Sequence, residues 1–116
     1  MTMRRLLPYA FWAAALFAFI MATLPKPPQL PGEPSDKIQH IIAFTVLAGL
    51  AAAAYPRVSL MKIGLGLSAF GALIELVQTI PILHREADLI DWIADTVAAF
   101  LVLGAAAILR RDRRPD

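Results

Sequence analysis

Apolar residues dominate this chain in four long runs, and polar residues gather in the connections and at the run ends. Leu6–Leu24 carries no charged side chain over about 19 residues, enough to cross a hydrocarbon layer as one helix. Pro8 falls in its first turn, where a missing N–H costs little. The next eleven residues, PKPPQLPGEPS, hold five of the nine prolines and predict a stiff, polyproline-like connection. Ser35 or Asp36 is placed to cap a second helix, with Asp36 favoured at its positive end.

That second run, Ile38–Tyr55, is rich in alanine and stops at Pro56, which pushes the preceding residue out of helical geometry. Val58–Ile80 forms the third run and stops at Pro81. On it Gly64, Ser68 and Ala72 recur every four residues, a small-residue stripe that lets another helix approach closely. Leu89–Leu109 is the fourth, with Gly104 and several alanines read the same way. The predicted architecture is therefore all-α: one domain over residues 1–116, an integral membrane bundle of four transmembrane helices spanning about 6–24, 38–55, 58–80 and 89–109.

Composition agrees with this pattern. Of 116 residues, 59% are hydrophobic and 17% charged, too apolar for an ordinary soluble domain of this size. The absence of cysteine excludes disulfides, thiolate metal sites and cysteine nucleophiles. Arg4 and Arg5 before the first run could also open a signal peptide, but the run is long for one and lacks an A-x-A cleavage site, so it reads as an uncleaved helix. Basic ends can serve nucleic acid. Flanking lipid-facing segments explains them better here, and no nucleic-acid partner is expected.

Charge asymmetry predicts the orientation. Four spans put both termini on one side, which collects Arg4, Arg5, Arg57, Lys62, Arg110, Arg111, Arg113 and Arg114. The other side has only Lys26, Lys37 and Arg85. By the positive-inside rule both termini are cytoplasmic, with Tyr9, Trp12 and Tyr55 near the inner interface and Trp92 near the outer one. A multi-pass protein of a bacterial cytoplasmic membrane, with membrane lipids as neighbours, is the expected localisation.

With this topology the polar residues of the spans meet at the outer end. Asp36, Lys37 and His40 enter the second helix there, Glu75 and Gln78 lie in the last turns of the third, and Asp88, Asp91 and Asp95 share one face of the fourth. At 1.5 Å per residue, Glu75 lies about 7 Å and Asp95 about 9 Å below the helix ends, so the two acids could face each other. Six acids at this end (Asp36, Glu75, Glu86, Asp88, Asp91, Asp95) oppose two bases (Lys37, Arg85), with His40 and His84 uncounted. Acidic side chains within a span are costly, about 2.5–3.5 kcal/mol each at a helix centre. The excess therefore demands protonated carboxyls, charged histidines, water, a metal ion or a cationic ligand. Plainer roles compete: Asp36 and Asp88 as caps, Glu86 as a solvated loop charge, Lys62 reaching the cytoplasmic surface, Gln78 bonding a neighbouring helix, and His40 as a packing residue.

The same residues resemble the VanZ-like family of small bacterial membrane proteins. The matching stretches are Asp36-Lys37-x-x-His40-x-x-x-Phe44, Glu75-x-x-Gln78, and Arg85 followed by Asp91 and Asp95. The resemblance covers roughly Ser35 to Gly104. Asp95 stands where the family usually has asparagine, and Ala98 where it usually has glycine. The resemblance implies a cell-envelope protein related to one linked with low-level resistance to the glycopeptide antibiotic teicoplanin, for which no chemical mechanism is implied.

Three functions compete at the sequence level. One is an envelope protein whose outer polar pocket (Asp36, Lys37, His40, Glu75, Gln78, Arg85, Asp88, Asp91, Asp95) binds a lipid headgroup, a cell-wall precursor or another membrane protein. Another is a small intramembrane enzyme in which Glu75 and Asp95 share a proton and Arg85 stabilises an oxyanion or phosphate. In a variant of it, Asp88, Asp91, Asp95 and His40 hold a hard divalent cation, although no motif predicts a cofactor. No G-x-S-x-G elbow or H-E-x-x-H pair accompanies these residues. Proton or cation passage is the third, and it lacks a continuous polar path through the inner halves of the spans.

Overall fold

In the computed structural model, residues 3–25, 36–83 and 87–112 are described, without the side chain of Asp36. They form four α-helices: α1 (Met3–Thr23), α2 (Asp36–Ala54), α3 (Leu60–Gln78) and α4 (Leu89–Asp112), with a short 3-10 turn at Pro81–Leu83. All four are long and apolar enough to cross a membrane. The proline-rich connection, the cap read at Ser35, and His84, Arg85, Glu86, Arg113 and Arg114 lie outside the described residues.

Local chemistry moves several predicted boundaries. Ser59 N-caps α3 by accepting a hydrogen bond from the Lys62 amide at 3.1 Å, so this helix begins two residues later than predicted. At its other end Thr79 Oγ1 donates to the Leu76 carbonyl at 2.6 Å, and Pro81 starts the 3-10 turn instead of extending the helix. α1 starts earlier than expected, at Met3. Pro8 therefore lies in the second turn, not the first, and removes a helical bond to the Arg4 carbonyl.

Buried positions recur at three- and four-residue intervals on each packed face. They are His40, Phe44, Leu47, Ala48 and Ala51 on α2; Ile63, Gly64, Leu67, Gly71, Ile74 and Gln78 on α3; and Asp95, Ala98, Ala99 and Leu103 on α4. The most extensive contact is α2 with α4, followed by α3 with α4 and α1 with α2. Alanines at the first of these, Ala48 and Ala99 among them, are fully enclosed. Phe70 of α3 lies between Phe19 of α1 and Phe44 of α2, with ring centroids 6.2 and 6.0 Å away. At the end of the bundle where α2 finishes, Trp12 donates to the Tyr55 hydroxyl at 2.8 Å. Arg110 there donates to the carbonyls of Ala52, Tyr55 and Val58, fastening α4 to the α2–α3 turn.

The small-residue stripe of α3 meets another helix closely, as expected, over its first two positions, and that helix is α4. A Cβ at Gly64 would run into the Phe100 ring and come within 3.1 Å of Leu103. One turn on, the Ser68 hydroxyl lies 3.1 Å from that of Thr96. Ala72, the third member, is exposed. Gly104 departs from its expected role: it is exposed, and a Cβ there would meet nothing within 4 Å. It lets no other helix approach closely among the described residues.

Adding an isopropyl group at Gly64 must drive Phe100 out of the α3–α4 seam, whereas Gly66 has open space where a Cβ would stand. Gly64→Val is expected to destabilise the detergent-solubilised protein by about 1–3 kcal/mol. Gly66→Val, with the same β-branching, should leave the thermal unfolding midpoint nearly unchanged. Equal losses in the two melts would contradict this packing.

Candidate functional site

Polar side chains stand at one end of each buried stripe. His40 heads the stripe of α2, Gln78 ends that of α3, and Asp95 heads that of α4. Because adjacent helices run in opposite directions, the three positions fall at the same end of the bundle. Each is at least nine-tenths buried: His40 is 9% exposed, Gln78 3% and Asp95 1%.

At the centre, His40 Nδ1 lies 3.2 Å from Asp95 Oδ2, joining α2 to α4. Glu75 of α3 is the third member. One ligand-capable atom from each of His40, Glu75 and Asp95 lies within 4.8 Å of the other two. The near-equal depths read for Glu75 and Asp95 thus correspond to a real juxtaposition. Glu75 Oε2 accepts the Asp88 amide at 2.8 Å, satisfying a donor at the start of α4 from thirteen residues upstream. Asp88 itself caps α4, its Oδ1 accepting the Ile90 amide at 2.9 Å.

Three acceptors here are left over. Among the described residues Glu75 Oε1, Asp95 Oδ1 and Gln78 Oε1 are buried without a hydrogen-bond partner. A buried orphan acceptor costs about 1–3 kcal/mol, and more if charged, so three at one end of a small bundle call for an explanation.

The remaining predicted site residues divide between this cluster and its surroundings. Asp91 sits nearer the end of the bundle than Asp95, and its Oδ1 is 3.9 Å from Lys37 Nζ, a partly exposed pair. Gln78 bonds a neighbouring helix: its Nε2 donates to the Ala22 carbonyl at 2.9 Å and ties α1 to α3. Asp36 begins α2, with its side chain undescribed, and Arg85 lies outside the described residues. The donor set differs from the Asp88, Asp91, Asp95 and His40 grouping read from the sequence. Asp88 is engaged as a cap and Asp91 faces Lys37, while Glu75 takes their place.

Two contributors escaped the sequence reading. The Ala22 carbonyl, partner of Gln78, is a backbone atom that no residue type advertises. Trp92, expected at an outer interface, is half-buried and donates its indole N–H to the Ser68 carbonyl at 2.9 Å, inside the α3–α4 seam. Beside it an open groove of about 400 Å³ runs between α3 and α4, with apolar walls from Ala72, Leu76 and Trp92 and a polar edge from Glu75, Thr79 and Asp88. Glu75 therefore belongs both to the groove and to the buried cluster.

The fold and this cluster define an all-helical chain of four membrane-length helices with a histidine–carboxylate centre at one end. Comparison with family models, with curated proteins and with solved structures found no match to this chain.

Removing one partner of the central pair strands the other. Asp95→Ala leaves a buried His40 N–H without its acceptor and is expected to cost about 1–3 kcal/mol. The double variant His40→Phe/Asp95→Leu, apolar at both positions, should recover much of that loss in the same denaturation assay. A double variant as unstable as the sum of His40→Phe and Asp95→Leu made singly would show that the pair does not act as a unit.

Proposed function

We propose that this chain is a VanZ-like integral membrane protein of the bacterial cell envelope, inserted in the cytoplasmic membrane with both termini in the cytoplasm. Its polar end then faces outward and binds a lipid headgroup or the headgroup end of a cell-wall precursor. The observation that carries the reading is the convergence of His40, Glu75 and Asp95 from three helices, with acceptor atoms buried and unpartnered among the described residues, beside a groove with apolar walls.

Insertion is supported by the distribution of surfaces. Polar side chains occupy the interior at one end, while Leu76 (67% exposed) and Leu101 (72%) point outward. Such a surface suits lipid and is rare on a soluble monomer. Helices of 19 residues are about 28 Å long, close to the hydrocarbon thickness of about 30 Å. The basic ends support the orientation.

The chemistry of the pocket favours ligands that bring donors. Carboxylate and amide oxygens accept, so hydroxyl and ammonium groups of a headgroup complement them, while the attached acyl chain suits the groove wall. In this reading the protein binds an amphiphile at the outer leaflet, and a change in glycopeptide susceptibility follows from altered handling of envelope lipids. A small intramembrane enzyme is the second reading. The His40–Asp95 pair beside Glu75 favours it, since an imidazole oriented by a carboxylate is an acid–base group.

Orientation can be tested directly because the chain has no native cysteine. A single cysteine replacing Arg113 should react with a membrane-impermeant maleimide only after the cells are opened, and one replacing Gln29 should react on intact cells. The reverse pattern would invert the topology. For function, a deletion strain should shift in teicoplanin susceptibility or envelope-stress tolerance. The wild-type gene should restore it, and Glu75→Gln, Arg85→Ala and Asp91→Asn variants made at normal protein level should not. No phenotype under any envelope stress, or full complementation by all three variants, would overturn the reading.

A further inference from the structure

The histidine and the two buried carboxylates also have the makeup of a metal-ligand set, which a headgroup alone does not require. We propose that His40, Glu75 and Asp95 bind a divalent first-row transition-metal ion, with zinc as the best match, and that this ion is the element of the pocket that receives the headgroup. The proposal rests on the pocket described above and adds its chemistry.

Geometry supports it first. Zinc–nitrogen and zinc–oxygen distances of about 2.0–2.1 Å place neighbouring ligand atoms about 3.0–3.4 Å apart around one ion. His40 Nδ1 and Asp95 Oδ2 are 3.2 Å apart, the edge of such a polyhedron. The three donors lie within 4.8 Å of one another, so the ion requires an inward adjustment of well under 2 Å to reach ordinary ligand spacings, within the range of side-chain rotation.

The second, independent observation is the buried Asp95 side chain. It is 1% exposed and its Oδ1 has no partner among the described residues, as is also true of Glu75 Oε1. A carboxylate in apolar surroundings stays ionised only when paired or bound to metal, and otherwise takes up a proton. Lys37 stands 3.9 Å from Asp91, not from Asp95. Two carboxylates and one divalent ion sum to zero charge, which an apolar interior tolerates better than two bare anions. The hydrogen bond from Asp88 to Glu75 Oε2 holds one ligand from outside the metal sphere, the kind of support that orients metal-binding carboxylates.

Ion type follows from the donors. Imidazole with carboxylates suits zinc, iron or manganese, whereas magnesium and calcium prefer oxygen alone. Three protein ligands leave a fourth position open, as in zinc sites that bind exogenous oxygen. Without an ion, an end of the bundle holding Glu75, Asp88, Asp91 and Asp95 repels phosphate. With the ion, the open position gives a headgroup phosphate or hydroxyl oxygen a place to bind.

Full-length protein purified in mild detergent, stripped with chelator and titrated with Zn²⁺ is expected to bind one ion per chain. Cobalt should give the intense visible absorption of a four- or five-coordinate site. His40→Ala and Glu75→Gln should weaken zinc by more than about a hundredfold, beyond the loss typical of outer-sphere partners. Asp112→Asn, exposed at the opposite end, should bind as the wild type does and so controls for adventitious carboxylate binding. Absence of zinc binding by helical wild-type protein, or a weak cobalt spectrum like that of the hexaaquo ion, overturns the proposal even if the variants do not fold. Binding of phosphatidylethanolamine and phosphatidylglycerol vesicles or nanodiscs separates the two readings. Glu75-dependent lipid binding by metal-free protein removes the ion and keeps the pocket. Stoichiometric zinc without Glu75-dependent lipid binding keeps the ion and removes the headgroup.

Discussion

The burial of Asp95 is the constraint on which the polar end of this bundle depends. A carboxylate that is 1% exposed must be compensated from neighbouring helices, because its own backbone is committed to α4. His40 supplies one partner from α2, and Glu75 brings a second carboxylate to the same place from α3. Three apolar stripes thus end in polar residues that are individually costly and collectively define a register. A slip of α4 by one turn would present Ala99 to His40 and carry Asp95 toward the end of the bundle. Apolar packing alone, among many similar alanines and leucines, discriminates such registers weakly. The polar centre does so strongly, which is the specificity role that buried polar groups are known to serve in helical assemblies.

Around that centre the polar groups form a gradient. Asp95 is enclosed, Asp91 shares a partly exposed pairing with Lys37, and Asp88 is spent on capping the helix. The same face of α4 therefore carries three aspartates with three different tasks. Gln78 adds a fourth task by holding α1, a helix that packs against α2 and α3 and whose own sequence offers little polar chemistry. The polar contacts at this end thereby involve all four helices.

Much of this was legible in the sequence. Proline positions and apolar runs placed the four helices, because length and lack of charge are properties of residue types. The 1.5 Å rise put Glu75 and Asp95 at one depth before any packing was known. What stayed hidden belongs to helix rotation and backbone partners. Nothing in the residue types told which of Asp88, Asp91 and Asp95 would turn inward, since all lie on one face at i, i+3 and i+7. Amphipathic rings prefer interfaces, and that preference says nothing of the bond the Trp92 N–H makes to a carbonyl across the α3–α4 seam. Composition alone puts Gly104 in one group with Gly64, although of the two only Gly64 has a neighbouring ring pressed against it.

Arg110 carries a consequence for the order of assembly. Its guanidinium clasps the carbonyls of Ala52, Tyr55 and Val58, so the turn between α2 and α3 is completed by a residue 58 positions after Ala52. A nascent chain emerges from its N-terminus, and early segments acquire structure before later ones exist. The α2–α3 hairpin must wait with those carbonyls unclasped until the last turn of α4 has been synthesised. The final closure of the bundle is thus scheduled by the last turn of α4, and truncation before Arg110 would leave an early hairpin permanently unlocked.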